Sequence, residues 1–274
     1  MATGALTRPA PRQRPPRWRT FVPGQRGLFN LVFLISVIVI WEFGTRFFNV
    51  QKLLLPPATL VFAEWGKFSN LIIFSAFFTL HEALVGFAFA AVIGISLAVV
   101  SVYVPLMRQI VMTAIVGINA TPKVALAPIL VIGLGRDAPS KYALAFLLSF
   151  FPVVINSVRG LTDVPNELMN LYKLMQASPW QIFWKVRLPN ALPAIFDGFK
   201  IALPIAMIGA VTCELIAPAR AGIGYQMTIA QSNFNGAMIW ACLITIATLA
   251  LIVYRVLIII EDRLIYWRPS KQVF

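Results

Sequence analysis

The sequence predicts an all-α polytopic membrane protein with about six transmembrane helices. Its 274 residues are 59% hydrophobic and only 12% charged, and the mean hydropathy is +0.81. Soluble domains carry about twice that share of charged residues, so the chain lacks the polar surface that a globule in water requires. Long apolar runs and an uneven distribution of Lys and Arg support the same fold class.

Six apolar runs approach the roughly 20 residues that a helix needs to cross about 30 Å of hydrocarbon. They cover residues 28–45, 83–104, 110–134, 142–158, 194–216 and 237–260. A further apolar stretch at 71–80 is too short to span and follows a polar segment. We expect an interfacial helix outside the membrane there, with an extension of the second span as the alternative.

The first 27 residues form a basic tail with six Arg, five Pro and no acidic residue. This composition predicts a disordered cytoplasmic segment that acts as a topology signal. It contains no DNA-binding motif, which argues against a nucleic-acid partner. No A-x-A-like cleavage site follows the first apolar run, so we expect an uncleaved first span. The transmembrane domain is then 28–268, followed by a short cytoplasmic tail at 269–274.

The positions of Lys and Arg predict that both termini lie in the cytoplasm. With the N-terminus inside, sixteen of the 23 basic residues fall on the inner side and Lys123 falls within a span. Six fall on the outer side: Arg46, Lys52, Lys67, Arg136, Lys141 and Arg220. The same orientation places the polar segment 163–193, called the insert below, on the cytoplasmic side.

The insert contains two short amphipathic helix patterns. In the first, Leu168, Leu171, Tyr172 and Met175 recur at the spacing of one helical face. Such helices often lie at the level of the lipid headgroups, so from composition alone a surface helix and a docking element are equally good interpretations.

The second pattern of the insert begins with a capping box. Ser178 is the predicted N-cap, Pro179 occupies the first helical position and Gln181 the third. Trp180, Phe183 and Trp184 follow on a shared side. We expect this helix to end before Leu188-Pro189, because proline cannot donate a helical hydrogen bond.

The order of residues in the insert resembles the EAA loop of binding-protein-dependent ABC importer permeases. That pattern runs Glu-Ala-Ala, three residues, Gly, nine residues, an aliphatic, one residue and Leu-Pro. On this spacing, Asn170, Leu171 and Tyr172 take the Glu-Ala-Ala places, Gln176 takes the Gly place, and Val186, Leu188 and Pro189 take the aliphatic and Leu-Pro places. Gln176 is the main departure, because glycine enters a tight bend at less cost than glutamine.

Other strings extend the resemblance over roughly residues 30–268. They are Ala177–Gln181, Lys185–Pro193, Thr79–Phe87, Thr121–Pro128 and Gly222–Tyr225. These strings are similar to the permeases for sulfonates, taurine, nitrate, thiamine precursors and riboflavin. The implied fold is that of a type I ABC importer permease in a bacterial cytoplasmic membrane.

The resemblance also implies partners and a set of coupling residues. The insert would dock on a separate cytoplasmic ATPase that binds ATP and Mg, since this chain has no G-x-x-x-x-G-K-[ST] loop and binds no cofactor itself. A periplasmic or lipid-anchored binding protein would deliver the solute, and two copies would form a homodimer in the lipid. The expected coupling residues are Asn170, Leu171, Tyr172, Gln176, Ala177, Ser178, Trp180, Trp184, Leu188 and Pro189.

Polar residues within apolar spans are candidates for a translocation pathway, because they are costly in hydrocarbon. Asn119 and Lys123 flank Pro122 in the third span, and Glu214 lies near the outer end of the fifth. The alternative is that Lys123 reaches the interface while Glu214 pairs with a neighbouring helix. Gly222 and Gly224 are expected to form a plain turn in the following outer loop, with a close helix approach near an outer gate as the alternative.

We expect no metal site and no catalytic centre. Cys213 and Cys242 fall within spans without ligands at metal spacing, so they are predicted to be buried free thiols. Glu42, Glu82 and the lone His81 are predicted to mark the membrane boundary. Hydrolase and metalloprotease motifs are absent from the sequence, so the chain is not expected to be an enzyme.

Two other functions remain open from the residues themselves. An ion-gradient-driven secondary transporter or channel would favour inverted repeats and paired broken helices, and no internal repeat is seen in the sequence. A membrane scaffold that holds a soluble partner through the insert would not need Lys123 or Glu214. The sequence does not identify the solute.

Overall fold

The computed structural model describes residues 23–119, 121–218 and 221–267, and every regular element in those ranges is helical. The α-helices of this part of the chain are α1 (Pro23–Phe47), α2 (Ala58–Tyr103), α3 (Pro105–Asn119), α4 (Ala127–Leu134), α5 (Ala138–Thr162), α6 (Asn166–Leu174), α7 (Pro179–Ile182), α8 (Leu188–Ile216), α9 (Ile223–Ser232) and α10 (Gly236–Leu264). A 3₁₀ turn covers Lys123–Leu126, and a π-helical turn covers Phe183–Arg187.

The all-α membrane fold class is confirmed. Among the described residues, five helices are long and apolar enough to cross a membrane: Phe29–Phe47, Ala58–Tyr103, Ala138–Thr162, Pro179–Ile216 and Gly236–Leu264. They correspond to five of the six predicted spans. The predicted tails lie largely outside the description, at residues 1–22 and 268–274, and α1 already begins at Pro23.

The interfacial helix expected at 71–80 does not exist as a separate element. Those residues are part of α2, a helix of 46 residues with non-helical dihedral angles only at Phe68. Phe68 marks a kink, and the helix that follows it, up to Tyr103, is roughly 53 Å long at about 1.5 Å per residue, which still exceeds the hydrocarbon thickness. No proline interrupts it between Ala58 and Tyr103, so the apolar stretch continues directly into the second span.

The third predicted span, 110–134, is broken. α3 ends at Asn119, and Pro122 precedes a 3₁₀ turn that leads into the eight-residue α4. Pro122 has no N–H to donate and disfavours helical angles at the preceding Thr121, so the helical ladder stops here. The apolar helical segment after the break, Lys123–Leu134, is shorter than a membrane span.

The second helix of the insert does not end before Leu188-Pro189 as expected. α7 passes through the π-helical turn into α8, with the N–H of Leu188 bonded to the carbonyl of Phe183. Pro189 follows the wider π turn and occupies the first turn of α8, where its missing donor is tolerated. The insert is therefore continuous with a membrane span.

The contacts divide the chain into two compact units. One ends at Val50 and contains α1, and the other begins at Gln51 and contains α2 to α10. Within the second unit, α5 packs most extensively against α8 and α2. A fully buried set from these helices, including Ala83, Ala145 and Ala206, forms part of its core.

Glycines allow α5 to approach α2 closely. A Cβ atom on Gly86 of α2 would lie 2.6 Å from the Cβ of Ala145 and 2.7 Å from the carbonyl oxygen of Tyr142. Small residues at such crossings are typical of membrane helices, because packing rather than water exclusion holds those helices together.

We expect Gly86→Ala to destabilise the fold by about 1–3 kcal/mol, because the added methyl group overlaps the backbone and Cβ of α5. Thermal unfolding of the purified protein in detergent measures this effect. Gly117→Ala is the matched control, since a Cβ there would meet no atom within 4 Å. Equal melting temperatures for the two variants would contradict the close α2–α5 contact.

Candidate coupling insert and buried polar cluster

The bend between α6 and α7 is a Schellman motif. The N–H of Gln176 bonds to the carbonyl of Lys173 at 3.0 Å, and the N–H of Ala177 bonds to the carbonyl of Tyr172 at 3.0 Å. The residue at the turning point is Gln176, with φ of 53°. Glycine is the usual residue in this left-handed conformation, and the EAA-loop pattern has glycine at this place.

The predicted capping box of α7 is confirmed. The N–H of Gln181 donates to the Ser178 hydroxyl at 3.3 Å, and the N–H of Ser178 donates to the Gln181 side-chain oxygen at 2.9 Å. Pro179 lies in the first turn. The start of α7 is thereby defined locally, before any contact with a partner.

Two hydrogen bonds tie the second half of the insert to the end of α5. The Arg187 guanidinium donates to the carbonyl of Leu161 at 3.0 Å. The Asn190 side-chain amide donates to the carbonyl of Asp163 at 2.7 Å. These carbonyls lie where α5 ends and leaves acceptors without helical partners. The insert is therefore attached to α5 as well as continuous with α8.

The insert presents aromatic side chains to its surroundings. Trp180 is 69% exposed and Trp184 is 49% exposed. Their rings contact each other at 5.5 Å, and both contact the buried Phe183, which in turn lies 6.4 Å from Tyr103 at the end of α2. Two large exposed rings on a buried support form a rigid apolar surface.

The ten residues expected to couple to an ATPase lie along one continuous segment. Asn170, Leu171 and Tyr172 are in α6, Gln176, Ala177 and Ser178 are in the bend, Trp180 is in α7, Trp184 is in the π-helical turn, and Leu188 and Pro189 begin α8. Leu171 of α6 is also exposed, with half of its surface accessible. Their coupling role stays a prediction.

The expected pathway residues lie in different elements of the structure. The side chain of Asn119 lies outside the described part of the structure. Lys123 is in the 3₁₀ turn, with its Nζ 5.2 Å from the centre of the Phe151 ring. Glu214 is completely buried in α8. Burial against neighbouring helices matches the pairing alternative for Glu214, and the pathway role of these residues stays a prediction.

Glu214 binds the start of α9, a helix that the sequence did not predict. The N–H of Gly224 donates to Oε2 of Glu214 at 2.6 Å, and the Thr79 hydroxyl donates to Oε1 at 2.7 Å. The N–H of Ile223 in turn donates to the Thr79 hydroxyl oxygen at 2.9 Å. Side chains from α8 and α2 thus satisfy two N–H groups that a helix N-terminus leaves unpaired.

Gly222 and Gly224 are required by this contact rather than by a plain turn. A Cβ on Gly222 would overlap the Glu214 carboxylate, and a Cβ on Gly224 would lie 2.6 Å from the Cβ of Glu214. The backbone of α9 can approach the carboxylate only because both residues lack a side chain.

A buried ion pair lies next to Glu214. Lys141 of α5 and Glu82 of α2 are 3.1 Å apart, and their side chains are 2% and 0% exposed. The carboxyl groups of Glu214 and Glu82 are close enough to interact with each other. Together, Thr79, Glu82, Lys141, Glu214 and the segment Gly222–Gly224 are called the buried polar cluster below. Oε2 of Glu82 has no hydrogen-bond partner within the described residues.

Sequence reasoning did not predict the ion pair of the buried polar cluster. Lys141 was counted in an outer loop, but it lies in α5 and is buried, whereas the expected position of the buried Glu82 at the membrane boundary stays a prediction. The spacing of Thr79 and Glu82 could have indicated a buried polar site, because it places two polar groups on one face of an apolar helix. The buried free thiols of Cys213 and Cys242 are confirmed.

We expect Gln176→Gly to stabilise the bend by about 1 kcal/mol, because glycine adopts positive φ without the steric cost that glutamine bears. Limited proteolysis across residues 170–180 of the folded protein measures the change as slower cleavage. Lys173→Gly is the control at a right-handed position, where glycine is expected to destabilise by a similar amount. Faster cleavage in both variants would contradict a strained Gln176.

We expect Lys141→Met to destabilise the protein by roughly 3–5 kcal/mol, because it leaves the buried Glu82 carboxylate without its cation. Adding Glu82→Gln to this variant should recover part of the loss. Denaturant unfolding in mild detergent compares the three proteins. Lys67→Met removes an exposed pair with Glu64 and should cost no more than about 1 kcal/mol. A double variant less stable than Lys141→Met alone would be inconsistent with a compensated pair.

Comparison with known proteins agrees with this architecture. Residues 90–266 match the family described as binding-protein-dependent transport system inner membrane component. The formylaminopyrimidine transport permease protein ThiX of Halalkalibacterium halodurans is 29% identical over 88% of this chain and 96% of its own length. The riboflavin transport system permease protein RibX of Chloroflexus aurantiacus is 30% identical over 87% of this chain and 90% of its own.

Solved structures show the same fold. A chain of the MetNI methionine ABC transporter in an inward-facing conformation superposes with a TM-score of 0.60 at 20% identity, covering 73% of this chain and 97% of that one. A chain of an amino acid ABC transporter gives a TM-score of 0.61 at 15% identity, covering 74% and 98%. The sequence match covers well over half of the chain, so this protein belongs to the family of binding-protein-dependent transport system inner membrane components, the permease subunits of ABC importers.

Proposed function

We propose that this permease subunit is driven by a separate cytoplasmic ATPase that docks on the insert. The observation that carries the proposal is the pair of exposed rings, Trp180 and Trp184, on a segment that is continuous with α8 and bonded to α5. Aromatic side chains on a rigid support are typical anchors of protein interfaces. The ATP and Mg would be bound by the partner chain.

The contacts of the insert suggest how the motion is passed on. A displacement of Trp180 acts on α8 through the unbroken π-helical turn. The same displacement acts on α5 through the Arg187 and Asn190 hydrogen bonds. Because α5 and α8 are the most extensively packed pair of helices, they would move as one body when the ATPase subunits close.

The complete importer would contain two copies of this chain, two ATPase subunits and an external binding protein. A single insert per chain and the two-fold symmetry usual in oligomers favour the homodimer. The family description as an inner membrane component supports a bacterial inner membrane location. The charge bias of the loops favours an orientation with both termini and the insert in the cytoplasm.

The solute would be small and would be selected by the binding protein. Relatives are named for formylaminopyrimidine, riboflavin and aliphatic sulfonates, the last in Bacillus subtilis at 27% identity. We therefore propose a solute from the set of sulfonates, taurine, nitrate and heterocyclic vitamin precursors.

We expect Trp180→Asp to reduce ATP-driven uptake at least tenfold in proteoliposomes that contain the permease, its ATPase and the binding protein. A buried carboxylate at the docking surface would cost more than the roughly 1.4 kcal/mol that a tenfold change represents. Co-purification of the ATPase with the permease should fall in parallel.

Two controls separate docking from general damage. Trp180→Phe keeps an aromatic ring and should retain most of the uptake. Tyr266→Asp places the same charge on another exposed aromatic residue, 84% exposed and far along the chain from the insert, and should leave uptake unchanged. Wild-type uptake in Trp180→Asp would exclude coupling through this surface.

A further inference from the structure

The buried polar cluster contains two acidic side chains and one basic side chain. Glu82 and Glu214 are each 0% exposed, and Lys141 is 1% exposed. Lys141 pairs with Glu82, and none of the other ion pairs of the described residues includes Glu214. With every group ionised, the cluster would therefore carry one uncompensated negative charge. Such a charge is costly away from water, and a buried acid usually becomes neutral by binding a proton instead.

The hydrogen bonds of Glu214 are those of an ionised carboxylate. Its Oε1 accepts from the Thr79 hydroxyl at 2.7 Å, and its Oε2 accepts from the N–H of Gly224 at 2.6 Å. The Thr79 hydroxyl has a single hydrogen, and its contact with the Ser75 carbonyl is the longer one, at 3.1 Å. A carboxylate accepts at both oxygens, whereas a protonated acid donates from one of them.

Glu82 has one oxygen that receives no hydrogen. Its Oε1 accepts from Nζ of Lys141 at 3.1 Å, whereas its buried Oε2 has no hydrogen-bond partner within the described residues. The carboxyl groups of Glu82 and Glu214 lie in hydrogen-bonding contact with each other. Two carboxylates repel each other and have no hydrogen to share. A proton on Oε2 of Glu82 would convert this contact into a charge-assisted O–H···O⁻ hydrogen bond.

We propose that the buried polar cluster binds one proton at neutral pH, held between Glu82 and Glu214. The proton is taken up from water when the chain folds, and it leaves the two acids with a single negative charge that Lys141 balances. Its loss at alkaline pH would place two adjacent carboxylates beside one cation. The repulsion would weaken the hold of Glu214 on the start of α9, so the contact between α2, α8 and α9 becomes sensitive to pH. The inference does not rest on the proposed function.

The titratable groups around the cluster assign this pH response to the carboxyl pair. Among the described residues, the charged groups that act on Glu82 are Glu214 of α8 and Lys141 of α5. Cys213 of α8 lies near them as a free thiol, and α9 contributes backbone N–H groups. His81 precedes Glu82 in the chain, but it is exposed, and its ring lies 6.1 Å from an aromatic ring of α5.

Infrared spectroscopy of the full-length permease in nanodiscs tests for the proton directly, because a protonated carboxylic acid absorbs at a higher frequency than a carboxylate. At neutral pH the wild type should show a band of this kind that Glu82→Gln lacks, and the wild-type band should disappear at alkaline pH. Glu167→Gln is the matched control, since it removes an exposed carboxylate of α6 and should leave the band in place. Wild-type and Glu82→Gln spectra that are identical in this region would overturn the proposal.

The pH dependence of unfolding in mild detergent is the second measurement. The folded wild type would hold a proton that the unfolded chain has released, so its stability should fall as the pH rises. Between about pH 5.5 and 7, its unfolding equilibrium constant should increase about tenfold per pH unit relative to that of Glu82→Gln. Glu167→Gln should keep the wild-type pH dependence.

The amide of Glu82→Gln can accept from Lys141 and donate to Glu214, as the protonated acid would, so this variant should fold. A Glu82→Gln protein that does not fold, or that unfolds with the same pH dependence as the wild type, would contradict a bound proton.

Discussion

The end of α8 opposite to the insert depends on one buried carboxylate. Glu214 is completely buried, and a charge in such a place is unfavourable unless several groups compensate it. The Thr79 hydroxyl and the N–H of Gly224 provide that compensation, and the N–H of Ile223 donates in turn to the Thr79 hydroxyl oxygen. Because hydrogen bonds are directional and the approach needs glycine at Gly222 and Gly224, the contact restricts where α2, α8 and α9 lie relative to one another.

Packing then extends this arrangement along the membrane helices. Lipid provides no hydrophobic drive for helix association, so close contact between small residues and buried polar pairs must supply it. Gly86 and Gly209 let α2 and α8 approach α5 at Ala145, and the Glu82–Lys141 pair joins α2 to α5 nearby. Polar groups thus hold the central helices together away from the insert, and small residues hold them together along their length.

At the other end of the same helices, the insert presents a surface for contact outside the lipid. The π-helical turn joins α7 and α8 into one continuous helix, and the Arg187 and Asn190 side chains donate hydrogen bonds to carbonyls at the end of α5. The strained Gln176 sets the angle between α6 and this continuous helix. A displacement of the insert would move α5 and α8 first. The buried polar cluster lies farther along these two helices.

The sequence by itself determined the membrane fold class, five of the spans and the capping box, because hydropathy and helix caps are local properties of the chain. Only the tertiary structure decided the rest. Pro122 broke a span and Pro189 did not end a helix, since neighbouring turns decide whether a lost hydrogen bond is replaced. The ion pair of Glu82 and Lys141 was not predicted, because it joins residues 59 positions apart that only the packing of α2 against α5 brings together.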